Sequence, residues 1–128
     1  MKDDSKLLGN SPKGHPRLGK GIVERGKTKK FRMYWKGFTY KKPFSEEIEV
    51  LWKDVWKITY FWEEKTINFG GSEKLELHIF GKGRITTIKF TSPIWLVPFD
   101  WTDKNDTIMT ILEEFSKDYD FEFRKGFF

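Results

Sequence analysis

The stretch Leu75–Phe90 constrains the fold of this chain more than any other part of it. Leu75, Leu77 and Ile79 alternate with Glu76 and His78, and Thr86, Ile88 and Phe90 repeat the two-residue period beyond Gly81-Lys82-Gly83. That period sends every second side chain to one face of a strand, so each half reads as a half-buried strand. A glycine-flanked break between two such runs reads as a hairpin turn.

The rest of the chain favours strands for the same reason. The hydrophobic fraction is 38%, and nearly half of it is aromatic, with 13 Phe, 6 Trp and 4 Tyr. Large rings pack well on a pleated surface. With few leucines and no alanine-rich stretch, the composition disfavours a helical bundle. At 128 residues the chain amounts to one domain, able to bury about two-thirds of its unfolded surface.

Gly21–Arg25 reads as a short apolar strand ending at Gly26. In the next, Phe31, Met33 and Trp35 share one face, and Lys30, Arg32, Tyr34 and Lys36 the other. Gly26-Lys27-Thr28-Lys29 is the loop between them. A third strand, Phe38–Lys42, follows a tight junction at Lys36-Gly37. Residues 45–56 admit two readings. Ile48, Leu51, Trp52, Val55 and Trp56 fall at helical spacing, as in a helix over Ser45–Trp56; alternatively Ile48–Leu51 is a strand and Trp52-Lys53-Asp54-Val55 is one turn leading into a strand over Trp56–Trp62. The second is preferred, because β-branched and aromatic residues dominate Val55–Trp62. Gly70-Gly71-Ser72 reads as a turn, and Ser92–Phe99, with a proline near each end, as an edge strand.

One helix is expected, over about residues 105–118. Asn105 or Asp106 caps it, and Ile108, Ile111, Leu112 and Phe115 trace a buried stripe while Glu113, Glu114 and Lys117 face water. The organisation is then a basic Gly/Pro-rich arm over 1–19, read as irregular or mobile, a β domain over 20–118 and an aromatic-rich tail over 119–128.

This order of strands and helix, together with Gly21–Lys41, resembles the pleckstrin-homology-like superfold. The carrying residues are a glycine-containing apolar strand, the basic loop, Lys30-Phe31-Arg32 and a strand ending near Tyr40. Leu51-Trp52-Lys53-Asp54-Val55 resembles the short Trp-containing turn of bacterial members of that superfold. One departure is that Phe115 is the only aromatic residue in the helical stripe, where pleckstrin-homology domains usually carry a tryptophan. The resemblance implies a mainly β fold, a barrel of two antiparallel sheets closed by one C-terminal helix. It also implies where an anion binds: Lys20 or Arg25 on the first strand with Lys30 and Arg32 on the second, and Lys27, Lys29 and Tyr40 as further donors. Lys30 and Arg32 project from one strand face, and arginine offers a planar fork to phosphate oxygens.

Charge narrows the partner. Residues 1–30 hold nine basic and three acidic residues, +6, and the remainder fifteen and sixteen, −1. A concentrated basic segment selects an anionic partner, by diffuse attraction where the charge is spread along an arm. Catalysis has little support. There is no cysteine, His15 and His78 are far apart in sequence, and Glu46-Glu47, Glu63-Glu64 and Glu113-Glu114 are adjacent carboxylates that point apart. No cofactor or metal site is expected, and the chain is read as non-enzymatic. Met1-Lys2-Asp3-Asp4 has no apolar leader, and no apolar run approaches the ~20 residues of a membrane span, so a cytoplasmic location is expected. The function expected is a binding or adaptor module for a protein partner, with Phe121, Phe123, Phe127 and Phe128 of the tail as contact candidates. The first alternative is an anionic membrane or phosphoinositide. Nucleic acid ranks third, because Phe31 and Trp35 fall on the face opposite the basic residues.

Overall fold

Two four-stranded sheets carry the chain, one in each of two units, Met1–Asp54 and Val55–Phe128. The structure is a computed structural model that describes residues 12–26, 29–67, 70–94 and 100–126, with side chains except for 64–67, 70–73, 91–94 and 100–105. Among the described residues the fold is mainly β, with a single C-terminal α-helix.

In the first unit β1 (Gly21–Arg25), β2 (Lys30–Tyr34), β3 (Gly37–Lys41) and β4 (Ile48–Leu51) pair antiparallel in sequence order. Cross-strand register lines up Val23 with Met33, Phe31 with Tyr40, and Phe38 with both Met33 and Val50. All of them are buried. A single 3-10 turn, Trp52–Asp54, follows. It sets the fully buried Trp52 ring 5.2 Å from that of Phe38, with Nε1 donating to the Tyr34 carbonyl at 2.8 Å. Residues 48–54 therefore take the strand-and-turn form. Ile48 and Val50 are needed opposite Tyr40 and Phe38, and the helical spacing of this stretch goes unused.

Residues 12–20 lack regular structure but are tied down. His15 and Gly19 exchange two backbone hydrogen bonds, and Leu18 is fully buried. Lys36 N donates to Leu18 O and Trp35 N to Lys20 O. Gly37 makes room for this segment: a Cβ there would lie 2.3 Å from Val50 O and 2.6 Å from a Leu18 methyl. The arm expected over 1–19 thus has an ordered end, because burying Leu18 outweighs the freedom that Pro and Gly give the chain.

In the second unit β5 (Val55–Ile67), β6 (Gly70–Gly81) and β7 (Arg84–Ile94) form an antiparallel meander. After the helix α1 (Asp100–Asp118), β8 (Glu122–Lys125) returns to pair parallel with β5, giving the order β7-β6-β5-β8. Lys82 (φ 55) and Gly83 (φ 72) both adopt the left-handed conformation that a two-residue hairpin turn requires. Ile58, Leu75, Leu77, Ile79 and Ile88 are buried on one face of the sheet, and Ile108, Ile111, Leu112 and Phe115 form the buried stripe of α1. Asp120 (φ 59) follows the helix, and Phe121 N reaches back to Ser116 O.

Three expectations need correction. The helix begins at Asp100, ahead of the Asn105/Asp106 cap. Gly70-Gly71-Ser72 is not a turn but the start of β6, paired with Lys65–Ile67. Ser92–Ile94 completes β7, which is an edge strand that tolerates Pro93; residues 95–99 lie outside the described residues. Among the described residues no helix is long and apolar enough to cross a membrane.

Candidate functional site

The side chains expected to bind an anion separate onto two faces and two ends of the first sheet. Arg25 stands opposite Phe31 and is 6% exposed; Tyr40 also stands opposite Phe31 and is 3% exposed. Both lie on the core face, and burial raises the Tyr40 phenol above its ordinary pKa. Lys30 and Arg32 point the other way, opposite Lys41 and Thr39. Lys20 sits at the far end, beside the Trp35-Lys36 turn. Lys27 lies outside the described residues.

Register then brings in residues that the sequence did not single out. Lys30 is directly opposite Lys41, with Lys29 and Lys42 next along the chain at the same sheet end. Among the described residues no acidic side chain pairs with Lys29, Lys30 or Lys42, and the Lys41 ammonium donates to the Lys42 carbonyl. Like charges directly opposed across strands are destabilising. Three residues further, Phe44 is completely exposed and holds φ 60, a conformation uncommon for a residue with a Cβ. Glu46 and Glu47 are exposed in the same loop. This end is therefore a lysine cluster with a bare aromatic ring and two carboxylates beside it.

The other cations on that face are already engaged. Arg32 Nε lies 3.4 Å from Glu24 Oε2, on the residue opposite it in β1, a charge contact that leaves the buried Nε without a hydrogen bond. Arg17 grips Glu49 through two bonds of 2.6 and 2.8 Å, which hold its guanidinium above the ordinary pKa. His15 Nδ1 accepts from the Arg17 and Leu18 amides at 3.1 and 3.2 Å. The ring proton is thereby left on Nε2, 3.1 Å from Glu49 Oε2. His15 is thus a fixed part of the turn over the sheet.

The second unit holds the other histidine. His78 Nε2 is 2.7 Å from Glu76 Oε2, and its Nδ1 is 3.3 Å from Thr87 Oγ1. Glu76 and His78 are i and i+2 on β6 and both are buried. Lys74 and Lys89 approach the second Glu76 oxygen at 3.8 and 4.0 Å. A hydroxyl, an imidazole and a carboxylate in a row are the parts of a proton relay. Here the carboxylate is shared with two lysines, and the row binds neighbouring strands together. No group of three or more His, Cys, Asp or Glu side chains able to hold a metal ion occurs among the described residues.

Of the tail aromatics, Phe121 is buried at the end of α1 and Phe123 stacks on Tyr60, with centroids 4.9 Å apart. Phe127 and Phe128 lie outside the described residues. Comparison with protein-family models, with curated proteins and with solved structures finds no match to this chain.

Proposed function

We propose that the chain is a non-enzymatic binding module for a protein partner, and that the lysine end of its first sheet receives an acidic, partly apolar face of that partner. The observation that carries this reading is the loop-end cluster of Lys29, Lys30, Lys41 and Lys42, with the wholly exposed Phe44 two residues beyond Lys42 in sequence. An opposed lysine pair and a bare ring in a left-handed conformation each cost stability, and a partner offering carboxylates and an apolar pocket relieves both. Glu46 and Glu47 favour a protein over an anionic membrane, because they are repelled by a uniformly negative surface yet can pair with single cations on a partner. Nucleic acid is disfavoured, since Phe31 is buried on the face away from Lys30 and Arg32. Membership of the pleckstrin-homology-like superfold belongs to the same proposal. Its support is the order of two four-stranded sheets and one C-terminal helix.

The test measures solution binding of three probes at low and high salt: a peptide alternating glutamate and leucine, phosphatidylserine-containing vesicles, and a single-stranded oligonucleotide. The acidic peptide should bind best, lose at least tenfold in affinity in Lys41→Glu and in Phe44→Ser, and weaken with salt. Lys41→Glu should leave stability unchanged or raise it by a few tenths of a kcal/mol, since it turns a like pair into an opposite one. Tighter binding to vesicles or oligonucleotide, or peptide affinity unmoved by both substitutions, overturns the proposal.

A further inference from the structure

The second unit carries an open cleft of about 520 Å³ between α1 and the β5/β8 edge, independent of the lysine end. Its floor is apolar: Tyr60 and Trp62 on β5, Phe123 on β8 and Met109 on α1. Its helical wall carries Asp106, Glu113 and Lys117, all exposed. Three features bear on what fits there.

The first is an unsatisfied donor. Trp62 Nε1 is buried and, among the described residues, has no hydrogen-bond partner. An indole N–H in that position costs free energy until an acceptor reaches it. The second is an unfinished sheet edge. Gly126 N donates to Tyr60 O, so Tyr60 turns its backbone polar groups toward the β8 side. By the two-residue alternation Trp62 does the same. β8 pairs with β5 only over Lys57–Tyr60, while β5 runs on to Ile67; among the described residues no strand continues alongside it. The third is charge. Between residues 106 and 118 the helix carries Asp106, Glu113, Glu114 and Asp118 against Lys117. The unit as a whole holds ten basic and twelve acidic residues, while the first unit holds fourteen and seven.

We infer that this cleft docks an extended, basic segment of a partner protein. The segment extends the sheet along β5 past the end of β8 and gives a carbonyl to the Trp62 indole N–H. It places an arginine or lysine between Asp106 and Glu113, with an apolar side chain over the Tyr60 and Phe123 rings. Strand addition supplies backbone bonds without regard to sequence, so the carboxylates and the aromatic floor set the preference. An acidic segment meets two carboxylates against one lysine on the wall, and a purely apolar one leaves that negative excess uncompensated. The two units thus offer recognition surfaces of opposite preference, one for acidic and one for basic partner faces.

The experiment uses the full chain and two fluorescein-labelled octapeptides, one alternating arginine with valine and the other glutamate with valine. Fluorescence anisotropy gives affinity, and the indole N–H resonance of Trp62 in a two-dimensional NMR spectrum gives location. The arginine peptide should bind, shift the Trp62 indole resonance, and slow hydrogen exchange of the Trp62 backbone amide. Asp106→Lys with Glu113→Lys should weaken it at least tenfold, and Trp62→Phe, which keeps a ring but removes the donor, about fivefold. Glu114→Lys, outside the cleft, makes half that charge change on the same helix and should change affinity less than twofold. Lys41→Glu and Phe44→Ser should leave arginine-peptide binding intact, so failure here and failure at the lysine end are read separately. Equal affinity for the two peptides, equal weakening by Glu114→Lys and by the cleft substitutions, or binding without a Trp62 shift overturns the inference.

Discussion

Replacing Trp52 with phenylalanine removes one hydrogen bond and one fused ring from the centre of the first unit. The side chain is fully buried, its Nε1 donates to Tyr34 O at 2.8 Å, and its ring lies 5.2 Å from that of Phe38. The smaller ring forfeits about 40 Å² of buried apolar area, about 1 kcal/mol at the usual coefficient. The abandoned Tyr34 carbonyl adds about 1–3 kcal/mol, the cost of a buried acceptor left without its donor. The expected loss is therefore about 2–4 kcal/mol. With a urea slope of about 1.5 kcal/mol per molar, the midpoint should fall by between about 1 and 3 M. Because the chain has two units, the readout must be local: urea titrations followed by the amide resonances of β2 and β3 for the first unit and of β5 and β6 for the second. Trp56→Phe is the control, since Trp56 is 61% exposed on the second unit and should cost less than about 0.5 kcal/mol. If Trp52→Phe lowers the β2–β3 midpoint no more than this control does, the 3-10 turn does not pin the first sheet, and the reasoning fails.

Ile111→Ala and Phe115→Ala should each cost about 2–5 kcal/mol in urea titrations of the second unit, because both side chains lie on the buried stripe of α1. Gly37→Ala should destabilise the first unit more than Gly83→Ala does the second. The new Cβ at 37 meets Val50 O at 2.3 Å, while at 83 it meets open space and only the positive φ is strained; thermal unfolding ranks the two. Burial raises the Tyr34 and Tyr40 phenols above 10.0, so the folded unit holds these protons more tightly than the unfolded chain does. Their contribution is present in full below that pH and is lost as pH rises through the folded values. The β2–β3 urea midpoint should thus drop as the pH rises above 10.0, and drop less in Tyr40→Phe.

How much of this was legible in the sequence depends on which signals are local. The Leu75–Phe90 hairpin and the stripe Ile108–Phe115 could be read because each repeats its period within one element, and a slip would expose the buried set. The lysine cluster could not. Placing the β2–β3 turn at Lys36-Gly37 sets Lys30 opposite Pro43, whereas the turn at Trp35-Lys36 sets it opposite Lys41. Both registers keep Phe31 and Met33 on the same face as Phe38 and Tyr40, so the hydrophobic pattern cannot choose between them. The choice is tied to the backbone bonds from Trp35 and Lys36 to Lys20 and Leu18, contacts made by a segment that reads as an arm. Arg25 was obscured differently: Ile22 and Val23 are both buried and the register shifts between Gly21 and Val23, so no alternation reports which way Arg25 points. The cleft was hidden because β8 pairs parallel with a strand more than sixty residues earlier, with no turn to announce it. In each case the elements follow from local pattern, while the surfaces where partners are proposed to bind follow from pairings the pattern leaves degenerate. Substitutions that shift register, such as a Gly inserted after Trp35, should therefore disperse the lysine cluster while leaving the strand content of the chain unchanged.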